Sequence, residues 1–149
     1  MDTKDLVQAE TNNICEEEGF RSEIYDDSLG NPTIGHGLTW LSEYESRMIV
    51  SHRMPALVNQ ILEAHPILND RPVEVTMITV HMSYQLGLTG VGAFRKMWEG
   101  ITAEDYAAAA DEMLDSKWNE QTPSRSQRLS DRMRAVKRDG DDRMLALES

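Results

Sequence analysis

Three side chains near the N-terminus have types and spacing that suit acid–base chemistry on a sugar. Glu18 precedes Asp27 by nine positions, and Thr33 follows Asp27 by six. In the hydrolysis of a glycosidic bond, one carboxyl group protonates the leaving oxygen and a second activates a water molecule. Acidic residues are common, so this spacing also fits a solvated surface, and the elements that position the three residues must be considered.

A helix is predicted over residues 3 to 18. Val7, Thr11, Ile14 and Glu18 follow one another at spacings of four, three and four, which puts them on one helix face, and Gly19 supplies a left-handed stop. Glu18 is therefore expected at a helix end beside an apolar stripe. Partial desolvation there favours the neutral carboxyl group, the form that a proton donor requires.

A hairpin or small sheet is predicted from Phe20 to Ile34. Strand-like pairs, Ile24-Tyr25 and Thr33-Ile34, flank a turn rich in Asp, Ser, Gly, Asn and Pro. Asp27 lies in this polar, wet turn, where a carboxyl group tends to stay ionised. The two acids are thus expected in environments that divide the roles of proton donor and base.

The rest of the chain reads as helices, so the predicted fold class is α+β and mostly α. Ser42 and Glu45 form a capping box that opens a helix running to about Ala64. Further helices are predicted over 73–86, ended by Gly87 and Gly90, and over 91–99, 102–115 with Thr102 as cap, and 123–135 with Thr122-Pro123 at its start. Such a chain of 149 residues is long enough for one domain or two small lobes.

The charge balance disfavours general binding to nucleic acid or to anionic membranes. The chain has 15 Lys and Arg against 26 Asp and Glu, a formal charge of -11. Residues 117 to 138 differ, with seven basic and two acidic side chains. This stretch is either a solvated helix face or a local contact for an anionic polymer.

No cofactor, metal ion, disulfide or membrane span is expected from the sequence. Cys15 is the single cysteine, and its position in a helical pattern is typical of a small apolar residue. The four histidines have no metal-like spacing. Charged residues at the N-terminus argue against a signal peptide.

Three blocks of residues, in order, resemble the lysozyme family of T-even-like bacteriophages, the muramidases of glycoside hydrolase family 24. The first block contains Glu18-Gly19-Phe20-Arg21, Ile24-Tyr25, Asp27, Gly30 and Thr33-Ile34-Gly35. The second contains Tyr84-Gln85-Leu86-Gly87, Thr89-Gly90-Val91 and Phe94, and the third contains Trp118, Gln121-Thr122-Pro123, Arg125 and Arg128. The likeness therefore spans nearly the whole chain.

The resemblance implies a lysozyme-like two-lobe fold and an inverting glycoside hydrolase. It implies one domain, 1–149, with a small lobe at about 20–41, a connecting helix at about 42–64, and a helical lobe at about 66–149 on which helix 3–18 packs. Glu18 would be the general acid, Asp27 the base, and Thr33 the hydroxyl that helps to hold the attacking water. No metal ion or organic cofactor is then required.

The resemblance also implies binding and supporting positions. Tyr84, Gln85 and Gly37 correspond to saccharide-binding positions, and Arg125 to an arginine that approaches the catalytic glutamate. His36 is expected to support the cleft by a hydrogen bond between lobes. In the family a nearby histidine pairs with an aspartate on the long helix, and Arg53 stands at that position here, so the charge complementarity would be lost. The small lobe is also shorter than in well-known members.

The implied function is that of an endolysin, a monomer that stays in the host cytoplasm until a holin gives it access to peptidoglycan strands in the cell wall. Three alternatives remain open. The chain could be an inactive binding module with the same fold, a lysozyme carried on the virion for entry, or a helical regulator that binds nucleic acid through residues 117 to 138.

Overall fold

The computed structural model describes residues 2–138, and these residues form seven α-helices, one short 3₁₀ helix and a two-stranded antiparallel sheet. In chain order they are α1 (Thr3–Glu18), β1 (Arg21–Asp26), β2 (Pro32–Gly35), α2 (Glu43–Ala64), the 3₁₀ helix (Pro66–Asp70), α3 (Val73–Gly92), α4 (Arg95–Thr102), α5 (Tyr106–Leu114), α6 (Lys117–Gln121) and α7 (Pro123–Arg134). The mostly helical α+β fold class is thereby confirmed.

The chain divides between Ser51 and His52 into two compact units. The first contains α1, the sheet and the start of α2, and the second contains the remaining elements. The single domain, the lobe boundaries and the packing of helix 3–18 on the helical lobe stay predictions. Positions 139–149 of the predicted helical lobe lie outside the described residues.

The capping box that the sequence predicts at the start of α2 is present. The Glu45 backbone N–H donates to Ser42 Oγ at 3.1 Å, and the Ser42 N–H donates to Glu45 Oε1 at 3.0 Å. Both bonds satisfy N–H groups that a helix start leaves without partners. The predicted bounds of α1 and α2 are accordingly confirmed to within one residue.

Helix bounds in the second unit differ from the sequence prediction at several places, one of which is the helix predicted over 91–99, where α4 spans Arg95–Thr102. Gly87 has φ 76° and interrupts α3, but the helix resumes and continues through Gly90 to Gly92. Thr102 ends α4 instead of starting α5, and the side chain of Asp105 caps α5 by accepting from the Ala108 N–H. The sequence reading also missed the 3₁₀ helix and α6, because segments of five residues are too short to show a hydrophobic period.

Within residues 2–138, the buried apolar side chains that form the core all belong to the second unit. They come from every helix of that unit and include Ile61, Val75, Ile78, Met82, Met97, Ile101, Met113, Trp118, Leu129 and Met133. The methionines of this list are buried and serve as core side chains. No helix among the described residues is long and apolar enough to cross a membrane.

Candidate active site

Glu18 is the last residue of α1, directly before the strand that leads to Asp27. The helix ends because Gly19 has φ 68°, and its N–H still donates to the Cys15 carbonyl oxygen. Glu18 is exposed, and α1 contains no buried residue. The apolar stripe that includes Val7 and Ile14 is exposed as well. The partial desolvation that the sequence predicts for Glu18 is therefore not observed.

Gly37 lies directly against the carboxyl group of Glu18. A Cβ atom at position 37 would be 2.5 Å from Glu18 Oε2 and 2.8 Å from its Cδ. Gly37 also has φ +73°, a conformation that residues with a side chain adopt only at a cost. The turn after β2 thus provides a backbone surface without a side chain, and the carboxyl group of Glu18 lies against it. This contact requires a glycine at position 37, in addition to the predicted contact with saccharide.

A methyl group at position 37 should displace the acid. To reach ordinary contact distance, Glu18 Oε2 must move by about 1 Å, and misplacement of this size can lower a catalytic rate about 10²-fold. With Glu18 as the acid that the sequence predicts, we expect Gly37→Ala to lower kcat by about that factor. Stability should fall by only about 1–2 kcal/mol, the cost of a left-handed alanine. Initial rates and urea unfolding of the purified variant measure the two effects.

Gly35 offers a matched control in the same turn. It has φ +67°, but a Cβ atom there would meet only Leu38 Cδ1 at 3.6 Å, an ordinary contact. Gly35→Ala should therefore lose similar stability and keep far more activity than Gly37→Ala. Equal rates for the two variants would mean that backbone strain, and not contact with Glu18, accounts for the effect.

His36 joins the same turn to the end of α1. Its Nδ1 lies 2.9 Å from the carbonyl oxygen of Gly19, and its ring packs against Phe20 with centroids 5.4 Å apart. A carbonyl oxygen can only accept, so Nδ1 carries the proton. This bond connects two segments of the first unit, and the hydrogen bond between lobes that the sequence predicts for His36 stays a prediction.

Asp27 closes the tip of the hairpin with its own carboxylate. Oδ1 accepts from the backbone N–H groups of Leu29 at 2.9 Å and Asn31 at 2.8 Å, and Oδ2 accepts from Asn31 Nδ2 at 3.4 Å. The hydrogen bond from the Asn31 N–H is the largest cause that lowers the pKa of Asp27 below its ordinary value of 3.8. Asp27 is thus held in the ionised form that a general base needs, as its polar turn predicts.

Asn31 connects Asp27 to Thr33 and was missed by the sequence reading. Its carbonyl oxygen accepts from the Asp27 N–H at 2.9 Å and from Thr33 Oγ1 at 2.9 Å. Thr33 is only 3% exposed and pairs with Tyr25 across the sheet. The sequence pattern that could have revealed this role is Asp27 followed by Gly30 and Asn31. Such a composition is typical of a turn that is closed by hydrogen bonds between side chains and the backbone.

The second unit holds the other predicted binding residues. Gln85 Oε1 accepts a hydrogen bond from Trp118 Nε1 at 2.9 Å. Gln85 is an exposed residue, and its amide nitrogen takes no part in this bond. Trp118 is buried and meets the ring of Phe94 edge to face at 6.0 Å. Tyr84 is 49% exposed. Gln85 is therefore oriented by a buried tryptophan, and Tyr84 is available to a ligand.

Arg125 is half-buried at the start of α7, near His81 of α3. Desolvation, followed by the charge of Arg125, lowers the pKa of His81. Because Arg125 and Glu18 belong to different units, the predicted ion pair between them stays a prediction. Among residues 2–138 there is no group of three His, Cys, Asp or Glu side chains that could hold a metal ion.

Comparisons with known proteins cover all the candidate residues of both units. The model of the family described as phage lysozyme matches residues 15–135. Two proteins of Dictyostelium discoideum, "Probable T4-type lysozyme 2" and "Probable T4-type lysozyme 1", are 27% and 25% identical to the chain where they align. Each alignment covers 76% of this chain and 86% of the relative.

Proposed function

Because the chain belongs to the phage lysozyme family, we propose that it hydrolyses the β-1,4 bond between N-acetylmuramic acid and N-acetylglucosamine in peptidoglycan. Family membership supports a lysozyme-type muramidase in general terms. The bond, the residues and the stereochemistry are our proposal.

Glu18 protonates the oxygen of the departing sugar, and Asp27 removes a proton from a water molecule that attacks the opposite face of the anomeric carbon. This division inverts the configuration at that carbon. Tyr84, Gln85 and Gly37 contact the saccharide, and Arg125 orients the acid or neutralises the charge of the cleft. No metal ion or cofactor takes part.

The observation that best supports this proposal is the way Asn31 ties Asp27 to Thr33. Asp27 Oδ1 is occupied by two backbone N–H groups, so Oδ2, whose single contact is the longer one, is the oxygen available to water. The Thr33 hydroxyl donates its proton to Asn31 and keeps lone pairs that can accept from the same water. A water molecule that donates to both would direct its own lone pair outward, toward a sugar.

The products of purified peptidoglycan test the proposal directly. We expect new reducing ends on N-acetylmuramic acid, with the α anomer formed first in proton NMR spectra taken within minutes of mixing. Reducing N-acetylglucosamine would assign the other glycosidic bond, and a β anomer would overturn the inverting mechanism. Products that appear equally with Glu18→Gln would contradict the role of Glu18 as the acid.

The pH profile should report the state of Asp27. A general base is active only when ionised, and the hydrogen bonds of the turn keep the pKa of Asp27 below 3.8. Activity should therefore persist as the pH falls until the pH is below that value. We expect the acidic limb of kcat/KM, measured on soluble glycan fragments, to have its midpoint below pH 3.8. A midpoint one unit or more above it would assign this limb to another group.

We further propose that the chain acts as an endolysin, a monomer made in the host cytoplasm that reaches the wall after a holin opens the membrane. The description of the family as phage lysozyme motivates the lytic part of this proposal. A bacterial culture that expresses the chain should lyse when a holin is co-expressed and should not lyse without it. Recovery of the chain from purified virions would favour the role in entry instead.

A further inference from the structure

We propose that His36 is a positioning residue, which holds the turn under Glu18 by its hydrogen bond to the Gly19 carbonyl. This inference rests on the proposed function, since its kinetic consequence requires Glu18 to be the acid. It assigns to His36 a role in the first unit and a specific acceptor, Gly19.

The end of α1 needs a donor that its own sequence does not supply. The last carbonyl groups of a helix have no partner within the helix, and the last turn of α1 contains no basic residue. It contains Glu16, Glu17 and Glu18 instead, which add negative charge at the negative end of the helix dipole. His36 provides an N–H donor at this end from outside the helix.

Three contacts hold the turn after β2 against the end of α1, and the hydrogen bond from His36 to Gly19 is one of them. Phe20 packs on the His36 ring, and Gly37 lies against the Glu18 carboxyl group. His36 and Gly37 are adjacent in sequence, as are Glu18 and Gly19. A hydrogen bond from His36 to Gly19 therefore fixes the distance between these two backbone segments. The same distance determines how Gly37 contacts Glu18.

The contact does not depend on the charge of the imidazole. The neutral form protonated on Nδ1 and the imidazolium both donate from Nδ1 to a carbonyl oxygen.

Two replacements of similar shape separate the hydrogen bond from packing. Asparagine has its amide nitrogen at the same number of bonds from the backbone as Nδ1, so His36→Asn can still donate to Gly19. His36→Leu fills similar space without a donor. We expect His36→Leu to lower kcat about tenfold with KM unchanged, because displacement of Glu18 weakens the proton transfer that occurs only in the transition state. His36→Asn should keep kcat near that of the parent.

A distance measurement provides a readout that does not depend on activity. The NMR cross-peak between the Glu18 γ protons and the Gly37 α protons should weaken in His36→Leu and persist in His36→Asn. His52→Leu serves as a matched control, because His52 is an exposed histidine on α2 with no hydrogen bond or ion pair among the described residues. It should change neither the cross-peak nor the rate.

A normal cross-peak and rate in His36→Leu would overturn the proposal, as would an asparagine variant that loses as much as the leucine variant. If His36→Leu does not fold, the test rests on His36→Asn. Loss of the cross-peak between Glu18 and Gly37 in His36→Asn would contradict the role of the side-chain donor. If the parent protein releases no reducing ends, the proposed function fails, yet the cross-peaks still show whether His36 positions Glu18.

Discussion

Replacing Glu18 by glutamine should lower kcat on peptidoglycan by about 10² to 10⁴-fold, the range that a general acid contributes. Glutamine has nearly the same shape but cannot give a proton to the leaving oxygen. Glu18 is exposed at a helix end, so stability should change by less than about 0.5 kcal/mol. Release of reducing ends and urea unfolding, measured on the same preparation, test both parts.

Glu17→Gln is the control for this experiment. It removes the same charge from the same helix end, one residue earlier, where the side chain does not rest on Gly37. It should retain activity close to that of the parent. A variant of Glu18 that still turns over normally would remove the assignment of the acid, and similar losses from both variants would indicate a general effect of charge.

Asp27→Asn should have a loss of comparable size, about 10² to 10⁴-fold in kcat, because the change removes the carboxylate that we propose as the base. The amide oxygen of asparagine can still accept from the N–H groups of Leu29 and Asn31, which Oδ1 holds in the parent. The turn should therefore stay closed. Circular dichroism and the NMR shifts of residues 27–31 should remain close to those of the parent while the rate falls.

Asp26→Asn is the matched change one residue earlier. Asp26 is the last residue of β1, paired with Pro32, and none of the hydrogen bonds that close the tip uses its side chain. Activity should be retained. If Asp26→Asn is as inactive as Asp27→Asn, the wrong aspartate has been chosen as the base.

The sequence predicted those parts of the fold that depend on local signals. Gly19 ended α1, Ser42 and Glu45 opened α2, and the polar turn between Tyr25 and Thr33 gave a hairpin. Each of these signals acts over a few residues through backbone conformation or capping, so no distant partner was needed to interpret it.

Other features depend on contacts between segments and were not predicted from single positions. Thr102 looked like a helix cap, but Asp105 was three residues further along and has the stronger acceptor for that role. The fit of Gly37 under Glu18 joins positions 19 apart in sequence. The bond from His36 to Gly19 spans 17 positions. A glycine and a histidine in a loop have many uses, and only the folded arrangement shows which one applies.

The register of the hairpin limits how this chain can change in length over generations. Tyr25 opposes Thr33 and Asp26 opposes Pro32, and bonds between Asp27 and Asn31 fix the tip at five residues. Gain or loss of a single residue between Tyr25 and Thr33 would turn the side chains that follow it to the other face of the sheet. Descendants that keep the proposed hydrolysis should therefore vary in length outside this segment, and an insertion or deletion within it should mark lineages in which hydrolysis has been lost.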